Sequence, residues 1–186
     1  MDILGKGDGQ PNSTMWLPGE GWEDLKFPAA GINPPGQVSD PDRDITDGTW
    51  LYDKAATEVI MGQVQMPHSW KAGSNLHAHV HWSPTTAGTG DVLWRLYYSI
   101  ATIGSVFPAF STLDVVAAAG GDDMHQLDEW APIGMVGHRV SCMIKWKLAR
   151  IGGDALDDYD ADAKLLELDF HYRINSIGSG TEYPKF

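Results

Sequence analysis

A single cysteine, Cys142, is all that this chain of 186 residues contains, so it has no internal disulfide framework. It lies within Val140-Ser141-Cys142-Met143-Ile144, an apolar setting that suits a small buried residue rather than a nucleophile. Basic residues are also few, with 13 Lys and Arg against 25 Asp and Glu, for a formal net charge of −12. Long-range repulsion then excludes generic nucleic-acid and anionic-membrane binding. No apolar run approaches the roughly 20 residues of a membrane-spanning helix. No basic stretch leads into an apolar segment after Met1, so a signal peptide is not expected and cytoplasmic synthesis is. Nucleotide-binding glycine motifs and His-Glu-x-x-His are missing, and so is Gly-x-Ser-x-Gly.

What the chain does have is uneven. Residues 1–48 hold six of the 11 prolines and eight of the 21 glycines, a density of breakers in which regular periodicity does not survive. Trp16, Leu17, Trp22, Leu25, Phe27 and Ile32 are spread through it, whereas disordered segments are poor in such residues. The reading is an extended N-terminal arm over 1–48, followed by one folded domain over 49–186. Trp16, Trp22, Phe27 and Ile32 are its expected anchors on its own body or on a neighbouring subunit.

From Thr49 onward the pattern is extended. Strands are expected over 49–52, 57–66, 75–82, 92–103, 138–149 and 165–174, with weaker signals over 111–118 and 126–133. Several alternate cleanly. Val92, Trp94, Leu96, Tyr98 and Ile100 share one face, as do Val140, Cys142, Ile144, Trp146 and Leu148. Leu166, Leu168, Phe170, Tyr172 and Ile174 oppose Glu167, Asp169, His171 and Arg173. One-sided alternation without a convincing amphipathic helix points to an all-β fold. Two antiparallel sheets packed as a β-sandwich or jelly roll fit best.

The run Asn75-Leu76-His77-Ala78-His79-Val80-His81-Trp82 carries the most chemistry. In a strand its apolar residues face one side and His77, His79 and His81 the other. Three uses of that row are open. It can be a solvated sheet face. It can bind a transition metal where identical chains meet on a symmetry axis, neutral imidazole being the commonest metal ligand. It can also form a cupin-like catalytic centre, with Asp91 as carboxylate and His138 or His171 as third imidazole. The last requires imidazoles inside a barrel, and this row opposes the apolar face. A further cation candidate is Asp158-x-Asp160-x-Asp162, which opens like a calcium loop; Ala163 stands where that turn demands glycine. A solvated acidic loop with adventitious calcium or magnesium is the expectation there.

Three stretches belong together: Trp22 to Gly36, then Met66-Pro67-His68-Ser69-Trp70-Lys71 leading into His77–Trp82, and finally Leu165 to Ile174. Their order and spacing resemble a thinly characterised family of small structural proteins of tailed bacteriophages. The resemblance implies a non-enzymatic virion protein of jelly-roll type, assembled as trimers or larger rings with other virion subunits. Capsid decoration, collar or neck, and tail positions are all compatible with it. It brings no catalytic residue. Carbohydrate binding through exposed aromatic residues is the alternative from another class.

Overall fold

A computed structural model describes residues 21–178, which form ten strands and one short 3-10 turn. The strands are β1 (Gly21–Pro28), β2 (Asp42–Arg43), β3 (Trp50–Tyr52), β4 (Thr57–Gln65) and β5 (Leu76–Pro84). They continue as β6 (Asp91–Ala101), β7 (Ser111–Ala118), β8 (Gln126–Glu129), β9 (Met143–Ile151) and β10 (Ala163–Ile174). One sheet runs β2-β3-β10-β5-β8, with β1 also paired to β10; the other runs β4-β9-β6-β7. All pairings are antiparallel.

The order has a simple physical origin. β3 pairs with β10, β4 with β9, β5 with β8 and β6 with β7. The chain thus behaves as one long hairpin rolled up, and the β5–β10 and β6–β9 ladders close the two sheets. This is the antiparallel β-sandwich of jelly-roll type expected from the alternation.

Leu76, Ala78, Val80 and Trp82 of β5 are all fully buried, as are Val92, Trp94 and Leu96 of β6. Trp82 and Trp94 meet between the sheets at 6.0 Å, and Tyr52 meets Trp94 at 5.1 Å. Trp50, Trp70, Trp130 and Trp146 complete a tryptophan-rich core, so six of the eight tryptophans fill the sandwich interior. Burial of each side chain of this kind contributes about 1.5–3 kcal/mol or more.

Three local readings need correction. A regular strand exists within the proline-rich segment: β1 pairs over eight residues with β10. It survives because it lies along the margin of the sheet and meets its proline only at the end, Pro28, where a missing N–H is tolerated. On β10 the register shifts between Leu165 and Glu167, so Leu165 rather than Leu166 joins the buried face. Such a bulge inserts one residue and flips the alternation on one side of it. β9 begins only at Met143, because Ser141 takes a positive φ of 63° and turns the chain. Cys142 is buried at that turn, and burial pushes its thiol up to about 11.

Candidate functional site

β5 sits between β10 and β8, and directly opposed residues of neighbouring strands lie on the same face. His77, His79 and His81 therefore stand opposite His171, Asp169 and Glu167 of β10, on the outside of the sandwich. On the other flank His79 faces Glu129 and His81 faces Leu127 of β8. Beyond β10, Asp24 of β1 lies opposite His171, and Trp22 opposite Arg173. With His125 stacked on His81 at 5.1 Å, five of the seven histidines gather on this one face.

Asp169 is its centre. Only 2% exposed, it has His79 Nδ1 3.1 Å from Oδ1, while His171 Nε2 and His81 Nε2 lie 3.1 and 3.3 Å from Oδ2. Burial pushes the Asp169 carboxyl up, but the surrounding imidazoles outweigh it and hold the group below its ordinary value. In return, the bond to Asp169 raises the pKa of His79. His77 Nδ1 lies 2.7 Å from Glu129 Oε1, which holds Glu129 low. The second oxygen of Glu129 stands 3.7 Å from His79 Nε2. Asp24 Oδ1 is 3.1 Å from His171 Nε2. Imidazoles and carboxylates thus alternate across four strands, β1, β10, β5 and β8.

A shallow depression of about 390 Å³ opens over this network, lined by Trp22, His77, His79, Glu129 and His171. Trp22, 52% exposed, forms one wall, its ring edge-on to His77 at 5.3 Å and Arg173 5.7 Å from its centre. The row faces outward, while the interior that a cupin-like centre would use is filled by tryptophan.

Within a single chain, the three residues of the row do not gather as one ligand set. Among the described residues, metal-compatible spacing occurs in two cross-strand groups, His79–Asp169–His171 and His81–Glu167–Asp169. His77 is in neither. Of the cupin-type partners considered, His171 joins the row, whereas His138 lines a separate depression with Tyr98, Ser99 and Pro108. Asp91 bonds into the 157–159 turn, its carbonyl accepting the N–H groups of Asp158 and Tyr159. The two groups also leave out Asp158, Asp160 and Asp162. Asp158 accepts the N–H of Asp91 at 2.6 Å, Asp160 pairs with Lys54, and burial raises the Asp162 carboxyl.

The expected arm anchors divide. Phe27 packs edge-on against Trp146 at 4.9 Å and Phe170 at 6.0 Å, and Ile32 is 7% exposed in the same core. Both pack on this chain's own body, Phe27 from β1 and Ile32 from just after the 3-10 turn. Trp22 stays on the surface, and Trp16 lies outside the described residues. Sequence reasoning missed Asp169, Glu129, Asp24 and His125 as partners of the row. Alternation alone placed Asp169 and His171 on an outward face, but nothing in it named β5 as their neighbour.

No protein-family model and no curated protein matches this chain. Several solved structures are similar in shape at low identity. One is the CBM36-1 domain of a multidomain xylanase from the hindgut metagenome of Trinervitermes trinervoides, at 11% identity and a TM-score of 0.45. That match covers 86% of this chain and 100% of the other. A CBM35 from Cellvibrio japonicus Abf62 matches at 11% identity and 0.47, covering 83% and 99%. The structure of the Gx strain of infectious bursal disease virus matches at 10% and 0.42, covering 88% and 33%.

Proposed function

We propose that this chain is a non-enzymatic structural component of a tailed-bacteriophage virion, working as a homo-oligomer, with a trimer favoured, among other virion subunits. The observation that carries this reading is the jelly roll with a tryptophan-filled interior, which leaves the chemistry of the chain on its outer faces and edges. Edge strands β4, β7 and β8 present Met61, Val116 and Leu127, which are 40%, 43% and 50% exposed. Apolar side chains on unpaired strand edges favour contact with other subunits. Trp22 on the histidine face adds an aromatic contact of the kind enriched at interfaces. Capsid decoration, collar and tail are the positions to distinguish.

Two measurements on the full chain test this. Size-exclusion chromatography with light scattering is expected to give a stable oligomer. Quantitative mass spectrometry of gradient-purified particles is expected to find the chain in fixed ratio to the major capsid protein. A monomer absent from the particles would overturn the proposal.

The depression beside Trp22 supports a second reading, carbohydrate binding, because an aromatic wall next to carboxylate and imidazole groups suits a sugar ring. Glycan-array binding that is lost in Trp22→Ala would favour it over assembly alone; no binding would remove it.

A further inference from the structure

We propose that His79, Asp169 and His171 form a binding site for one divalent transition-metal ion per chain, on the outer face of the β5–β10 sheet. Two imidazoles and a carboxylate with open positions are a ligand set for first-row metals such as iron, manganese or zinc. The spacing fits such an ion. Metal–ligand bonds of about 2.1 Å place adjacent ligand atoms of an octahedron roughly 3.0 Å apart. His79 Nδ1 and His171 Nε2 each lie 3.1 Å from an oxygen of Asp169. All three donor groups fall within 4.8 Å of one another.

The surroundings favour a held ion over a loose surface contact. Asp169 and His79 are 2% and 7% exposed and lie opposite each other in the central β5–β10 ladder, so their positions are set by backbone pairing. Glu129 stands 3.7 Å from the far nitrogen of His79, close enough for its charge to favour a ligating imidazole. Two of the three groups, His79 and His171, line the depression, which leaves the remaining positions open to water. The neighbouring group around His81 is the weaker candidate, because it offers one imidazole and two carboxylates, Glu167 and Asp169, a set less suited to a first-row transition metal. The site stands whether or not the chain belongs to a particle.

The test is titration of the chelator-treated full chain with Zn(II) by calorimetry and with Co(II) by visible absorption. One ion per chain is expected, with a cobalt spectrum showing nitrogen and oxygen ligands. Loss of an outer-shell partner typically weakens metal binding by about 10–100-fold, so His171→Gln and His79→Gln should each cost about 100-fold or more. His125→Gln, exposed and outside the set, should bind as wild type does. His171 is half-exposed, so its variant is expected to fold; circular dichroism checks both. No binding by the wild type, or full affinity in a folded His171→Gln, overturns the site. One ion per three chains would place the metal on a symmetry axis and also overturn it. Loss in His81→Gln with retention in His171→Gln would do the same by assigning the ion to the other group.

Discussion

Among the described residues two carboxylates lie buried in this sandwich, Asp157 and Asp169, and their neighbourhoods differ in kind. Asp157 meets Arg150, and both side chains are fully buried. The five donors of the guanidinium are all used, by the two oxygens of Asp157 and by the carbonyls of Tyr52, Tyr159 and Ala161. Asp157 also accepts the N–H of Leu93 at 3.0 Å. This cluster is closed: no donor is left for a ligand, and its effect is to tie the 152–162 turn to β3, β6 and β9. Asp169 instead meets three imidazoles, groups that can carry a proton, give it up or take a metal. A depression opens beside it. Burial alone therefore does not separate a sealed carboxylate from one whose partners border a depression. The chemistry of its partners does.

The largest expected effect falls on the closed cluster. Arg150→Met leaves Asp157 as a buried charge without its partner and should cost about 3–5 kcal/mol, read by denaturant unfolding. A cost under about 1 kcal/mol would mean that the pair is solvated and that the contrast with Asp169 fails. On the open side, His79→Gln removes one of three partners from a buried carboxylate and should cost about 1–3 kcal/mol in metal-free protein. It should also weaken metal binding, whereas Arg150→Met, if folded, should not.

Metal-free protein should show a third contrast, in pH. Asp169 and Glu129 are held low by imidazoles, so their contribution is present above the ordinary carboxylate pKa and is lost as pH falls through the lowered values. His79 is raised by Asp169, so its contribution is present below the ordinary histidine pKa and is lost as pH rises through the raised value. The histidine face should therefore stabilise most between about pH 4 and 6.5. Denaturation midpoints across pH should lose their alkaline decline in His79→Gln; an unchanged decline would show that another group titrates. The smallest effect belongs to His77→Gln, about 0.5 kcal/mol or less, because that imidazole pairs with a half-exposed Glu129 at the rim.

Much of the scaffold could be read from alternation, because period-two patterning is a local signal. Leu76 to Trp82 and Val92 to Ile100 went to the core as their spacing required. The β10 bulge was hidden, since Leu165 and Leu166 are equally apolar and only pairing with Trp82 decides between them. β1 was hidden as well, its short Leu25–Phe27 alternation lost among prolines and glycines. Half of the site was legible: the row was seen to face outward, but its partners were not. Which strand lies beside β5 is a long-range choice set by how the hairpin rolls up. Asp157 shows the opposite error. It stands directly before the Asp158-x-Asp160-x-Asp162 run expected to be a solvated acidic loop, yet it is the buried partner of an arginine seven residues earlier.

The most direct test is a crystal structure of the full chain soaked in Co(II), with anomalous differences measured at the cobalt edge. One peak is expected outside the sandwich, within coordination distance of His79, Asp169 and His171. A peak inside the sandwich, at Asp158–Asp162 or nowhere would contradict the assignment of the working chemistry to the outer histidine face.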